Sequence, residues 1–212
     1  AGGSRINLED LASYSATIHD AVSMPYADAT VFAAPGLTAG PTMFDVLSRI
    51  NGKIFFENGS PNADAYEHYA AALKAAYETR LATMGDANDT RDPACTTHLT
   101  AIDAEGNMVT LTQTLLSAFG SKVVLPDTGI LMNNGIMWFD TRPGGPNSLA
   151  PGKRPLCNMC PAIVRRPNGF NFAIGASGGR RIMPAVLQNI SLMVDGGLSL
   201  SDAIHHPRID VS

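Results

Sequence analysis

A mixed α+β fold, with stacked sheets flanked by helices, is what this sequence predicts before any residue is given a role. Three observations lead there. Apolar residues over 8–84 recur mostly at helical spacing, the texture turns to strand-like alternation at Thr96, and a covering apolar helix is predicted over 183–194. The bulk numbers fit a globular chain: 212 residues, 45% hydrophobic and 16% charged. That length allows one substantial domain, or two pieces sharing a core.

Each element has its own signal. Leu8, Leu11 and Tyr14 sit at helical spacing behind Asn7, a plausible cap, and residues 43–50 predict a short second helix. Asn62 can cap a longer helix whose apolar stripe is Tyr66, Tyr69, Leu73, Tyr77 and Leu81, ending at Gly85. That stripe reads as core. Residues 85–95 are polar, rich in Asp and broken by Pro93, which makes a solvated loop. Thr96–Ile102 and Met108–Thr114 alternate about the turn Asp103-Ala104-Glu105-Gly106-Asn107, predicting a hairpin. Further short strands are expected at 129–133, 161–165 and 171–175, and the last helix stops at Gly196-Gly197.

Several function classes fall away. A net charge of −4 with 15 Lys and Arg, and no basic stripe, argues against nucleic-acid binding. No apolar stretch is long enough to span a bilayer. The opening Ala1-Gly2-Gly3-Ser4-Arg5 lacks the apolar core of a signal peptide, and the abrupt ends suggest a fragment of a longer chain. Three cysteines, Cys95, Cys157 and Cys160, do not make a disulfide framework. Cys157 and Cys160 match C-x-x-C, but no second pair or spaced histidines accompany them, so no metal or cofactor is expected. His205-His206-Pro207 reads as a helix end.

Thr96-Thr97-His98 opens a strand directly after the Asp-rich loop. It is followed by Asp103, Gly106-Asn107, Thr112, Thr114, Phe119-Gly120, Gly129-Ile130-Leu131, Asn133-Asn134, Phe139, Lys153-Arg154-Pro155-Leu156, Met159, Pro161 and Gly178-Gly179. Order and spacing resemble the small chain of the γ-glutamyltranspeptidase family, and residues 8–14 resemble a helix near the end of that family's large chain. The resemblance implies an αββα four-layer N-terminal-nucleophile fold. It also divides the sequence into 1–95, the end of a large chain, and 96–212, a small catalytic chain associated with it.

Under that resemblance the chain cuts itself between Cys95 and Thr96, and Thr96 becomes the nucleophile. A threonine hydroxyl needs a base. The α-amino group freed by cleavage, with a reference pKa of roughly 7.7–8.0, supplies one. Thr114 would hold the Thr96 hydroxyl, and Gly178 and Gly179 would offer backbone N–H groups to an oxyanion. Consecutive strand residues face opposite ways, and no carboxylate pairs with His98, which is read as structural. A periplasmic or secreted compartment is implied by the family, whereas free cysteines favour a reducing one.

The substrate pocket departs from the family pattern. Leu116 stands where the family has Asn, Gly135 where it has Gln after Asn134, and Trp138 where it has Asp. Cys157-Asn158 replaces the serine pair that holds an α-carboxylate. An arginine for that carboxylate would lie before Ala1. Burying an amino-acid head group against Leu116 and Trp138 without polar partners is unfavourable; a cation–π contact with Trp138 is worth only roughly 0.5–2 kcal/mol. The substrate is therefore expected to be a γ-glutamyl compound or another small amide with a more apolar acyl group. The segment over 140–153 is short for a lid, which leaves the site open to bulky substrates or water.

Overall fold

The computed structural model of the chain describes residues 6–84, 96–167 and 170–211. The elements run α1 (Leu8–Ser13), β1 (Val22–Tyr26), β2 (Ala29–Ala33), α2 (Gly40–Ile50), β3 (Phe56–Glu57), β4 (Ser60–Pro61) and α3 (Ala63–Thr83). They continue with β5 (Thr96–Ile102), β6 (Met108–Thr114), β7 (Ala162–Arg165), β8 (Phe172–Ile174), α4 (Ile182–Val194) and α5 (Leu200–His205). Mixed helices and antiparallel strands result, as the residue patterns predict.

Local chemistry sets the helix starts. The Asn7 side chain accepts from the Asp10 N–H while Asp10 returns a bond to Asn7, a capping box. Asn62 accepts from the Ala65 N–H at 2.9 Å and starts α3. Ser199 does the same for α5 through Asp202, and that helix ends at His205. Helix α2 begins at Gly40, three residues ahead of the expected start, because Pro41 fits the first turn. Helix α3 ends at Thr83; the expected stop at Gly85 lies outside the described residues.

A four-stranded antiparallel sheet, order β1-β2-β7-β8, forms the centre. It joins strands from before residue 96 to strands from after it. Residues 22–33 correct the helical expectation for the first part of the chain: they form the β1–β2 hairpin, turning at Ala27 with φ 49°. Ala29, Val31 and Ala33 alternate inward and pack with Met43, Val46 and Leu47 of α2, Tyr69 and Leu73 of α3, and Val186, Leu187 and Ile190 of α4. Tyr66 of the expected stripe only packs against this core, at its edge. Helix α4 is buried nearly all round, and its Gln188 amide donates to the carbonyls of Pro184 and Ile209.

A polar knot crosses the core. Tyr69 donates to Ser191 Oγ at 2.7 Å, and both Tyr26 and Ser191 donate to the Asp195 carboxylate. Burial raises the Asp195 carboxyl above the ordinary range against those stabilising bonds. The expected strand at 129–133 shrinks to a single antiparallel bridge between Val124 and Leu131, flanked by Leu125 N–H to Ile130 O and Met132 N–H to Val123 O. Among the described residues no helix is long and apolar enough to cross a membrane.

Candidate active site

The β5–β6 hairpin pairs Thr96 with Thr114, His98 with Thr112 and Thr100 with Thr110. Directly opposed residues of antiparallel strands share one face, so these six side chains line up. Thr96 Oγ1 donates to Thr114 Oγ1 across 3.1 Å. The His98 ring nitrogens pair with Thr112 Oγ1 at 2.8 Å and with the hydroxyls of Thr100 and Thr110 at 3.1 and 3.3 Å. Burial lowers the His98 pKa, favouring the neutral ring. The imidazole is spent on hairpin threonines, in keeping with a structural role.

This hairpin docks on the central sheet at β8. Thr110 Oγ1 reaches the Ile174 carbonyl at 3.4 Å, and the His98 ring lies against Gly175. A Cβ on residue 175 would stand 2.1 Å from that ring, so any larger residue there must displace the imidazole. After β8 the chain enters the turn that carries the two glycines singled out in the sequence. There Gly178 adopts φ 136° and opens a short 3₁₀ turn, Gly179–Arg181, leading into α4. No residue with a side chain holds that backbone without strain.

Beyond Thr114 the chain turns sharply. The Leu116 N–H donates to Thr114 Oγ1 at 3.0 Å, so that oxygen serves the turn and Thr96 together. Leu116 itself sits at φ 73°, a conformation costing a side-chain-bearing residue on the order of 1 kcal/mol. Asn134 fixes the next residues: its amide accepts from Ser117 N–H at 3.0 Å and donates to Ser117 Oγ at 2.7 Å. Asn134 is thus a staple for the 115–117 turn. Its place in the predicted substrate pocket comes through that turn, since its side-chain amide is already engaged.

Gly135 is buried, and the Trp138 ring lies over it: a Cβ there would be 3.5 Å from Trp138 Cε3 and Cζ3. The atom nearest to such a Cβ is Asn133 Oδ1, at 3.0 Å. Asn147, 3% exposed, then ties two strips together. It donates to the Trp138 carbonyl at 2.6 Å and accepts from the Leu156 N–H at 2.9 Å. Nothing local in the sequence singles out Asn147.

Cys157 is buried, with its N–H bonded to the Leu37 carbonyl at 2.8 Å; burial pushes its thiol pKa up. Cys160, fully buried, is pushed up to about 12 by the same cause. Both are protonated thiols packed in the interior. Asn158 between them is half-buried. The segment over 140–153 folds on itself: Ser148 Oγ donates to the Arg142 carbonyl at 2.6 Å, and Lys153 Nζ to the carbonyls of Pro146 and Ser148. Cys95 lies outside the described residues.

The comparisons with known proteins agree on one family. The family model described as Gamma-glutamyltranspeptidase matches residues 1–95 and 86–211. The Acylase ACY 1 proenzyme of a Pseudomonas species is 30% identical over 244 residues, covering 99% of this chain and 44% of that protein. The glutathione hydrolase proenzyme of Bacillus subtilis is 40% identical over 114 residues, 54% of this chain and 19% of the relative. The chain thus spans less than half the length of these relatives. In fold it resembles the cephalosporin acylase of Bacillus halodurans, with a TM-score of 0.84 at 24% identity over 98% of this chain and 43% of that one. The gamma-glutamyltranspeptidase of Pseudomonas nitroreducens, 33% identical, covers 55% of this chain and 65% of its own, with a TM-score of 0.51. With nearly the whole chain matched by the family model, it belongs to the gamma-glutamyltranspeptidase family.

Proposed function

We propose that the protein is a self-processing amidohydrolase and acyltransferase whose nucleophile is Thr96. The observation that carries this reading is the position of Thr96: first residue of β5, opposite Thr114, with the two hydroxyls 3.1 Å apart. In the precursor the Thr96 hydroxyl attacks the Cys95 carbonyl. The acyl group moves from nitrogen to oxygen, and water hydrolyses the ester, leaving a Cys95 carboxylate and a free Thr96 amine. Residues 1–95 and 96–212 then stay together as large and small chains within an αββα four-layer fold.

In the mature protein the α-amino group of Thr96 takes the hydroxyl proton as Oγ1 attacks a substrate amide. Thr114 orients Oγ1, and the N–H groups of Gly178 and Gly179 face the oxyanion, a contribution of typically about 3 kcal/mol per donor. The proton passes to the leaving amine, an ester on Thr96 forms, and water or an acceptor amine releases the acyl group.

The acyl pocket is assigned to Leu116, Gly135, Trp138, Cys157 and Asn158, on the turn stapled by Asn134. Trp138 over Gly135 favours a second reading within the same chemistry: an acylase for a non-glutamyl side-chain amide. The names of the acylase relatives support it. Comparing turnover of γ-glutamyl and aliphatic acyl anilides separates the two.

Intact-mass analysis of the full-length protein beside Thr96→Ala tests the core of the proposal. Two chains, the smaller beginning at Thr96, are expected from the parent and one uncut chain from the variant. An uncut parent without turnover would replace the enzyme by a binding protein that keeps the fold.

A further inference from the structure

Tyr77 and Arg80 lie three residues apart on α3, hence on one helix face. Both are buried, at 8% and 2% exposure. Each head group leaves the apolar core to bond a backbone carbonyl far along the chain. Arg80 Nη2 donates to the Cys157 carbonyl at 2.7 Å, while Nη1 donates to the Thr38 carbonyl at 3.2 Å and Thr42 Oγ1 at 3.0 Å. The Tyr77 hydroxyl donates to the Arg180 carbonyl at 2.7 Å.

Burying a guanidinium is unfavourable unless its bonds are well made, and a leucine would fill much of the same volume. The planar fork instead grips three groups at fixed angles. One of them is the peptide joining Cys157 to Asn158. The Tyr77 contact falls in the turn holding Gly178 and Gly179, whose backbone is free to relax for want of side chains. An anchor from outside sets the direction of such N–H groups.

We infer that α3 carries two positioning residues: Arg80 sets the Cys157–Asn158 strip of the acyl pocket, and Tyr77 sets the Gly178–Gly179 turn. The inference rests on the site reading proposed above. Neither residue touches the reacting atoms; each acts through a carbonyl. The two anchors serve different tasks, so their loss separates in kinetics. Weakened pocket placement affects ground-state binding, whereas a loosened oxyanion turn affects the chemical step.

The test uses the full-length protein with Arg80→Lys and Tyr77→Phe, which keep the charge and the ring. The probe is γ-glutamyl p-nitroanilide or butyryl p-nitroanilide, whichever the parent turns over. Tyr77→Phe is expected to lower kcat about 10-fold with KM within twofold; Arg80→Lys is expected to raise KM about 10-fold with kcat within threefold. Amide hydrogen exchange gives a readout independent of turnover: Tyr77→Phe speeds exchange at 178–182 and leaves 157–160 unchanged, and Arg80→Lys does the reverse. Equal changes in kcat and KM for both variants, or exchange that rises uniformly with lost stability, overturns the inference. A parent without turnover sinks the site reading instead, and exchange then decides positioning alone.

Discussion

The central sheet and the β5–β6 hairpin use the same backbone geometry for different ends. In the sheet, β2 pairs with β7 across more than half the sequence, and its inward side chains are sealed under three helices. In the hairpin, two strands seven residues long pair through a five-residue turn. One of its faces carries five threonines and His98; the other exposes Leu99 by 45% and Val109 by 60%. Burial stabilises the sheet. The hairpin is held by register and by its dock at Gly175, so its Thr96 end, the proposed seat of the nucleophile, stands outside the core.

The largest expected effect breaks the sheet side of this contrast. Leu187→Ala, at a fully buried position, is expected to lose about 2–5 kcal/mol in denaturant unfolding. Leu99→Ala on the exposed hairpin face is expected to lose less than about 1 kcal/mol. Comparable losses at both sites would erase the distinction.

Thr114→Val probes the other side. Removing the oxygen that serves both Thr96 and Leu116 N–H is expected to reduce turnover roughly 10–100-fold, or about 1.4–2.8 kcal/mol in the barrier. Its unfolding midpoint should move far less than that of Leu187→Ala. A large midpoint shift with unchanged turnover would make Thr114 a fold residue only.

The smallest effect sharpens the picture within the core. The raised Asp195 pKa means that the folded state holds this proton more tightly than the unfolded chain. Stability from that group is complete below the unfolded carboxylate pKa and falls as pH rises through the folded value. Asp195→Asn is expected to flatten this stretch of the stability–pH profile in thermal unfolding. A slope that persists in the variant would move the dependence to another group.

What was legible in the sequence follows the reach of each signal. The hairpin over Thr96–Thr114 was readable because alternation and a Gly-containing turn are local patterns. Helix α3 and its cap were readable for the same reason. Strands β1 and β2 were not: Pro25, several alanines and a turn at Ala27 without glycine give no strand punctuation. Leu116, Gly135 and Trp138 stood out only against the family pattern. Tyr77 could be placed in the core by spacing, but the carbonyl its hydroxyl meets lies 103 positions away. Arg80 and Asn147 gave no signal, because their partners become neighbours only after folding.

The interleaved sheet has a consequence for molecularity. The proposed scission ahead of Thr96 would leave β2 and β7, hydrogen-bonded neighbours, on different polypeptides. The uncut precursor folds in a first-order process at any dilution. Separated halves must first collide, so recovery of the cut protein from denaturant becomes second order and fades as the sample is diluted. Covalent continuity would then be an aid to assembly that a cut molecule no longer carries, and such a protein, once fully unfolded at low concentration, would regain its sheet far more slowly than its precursor.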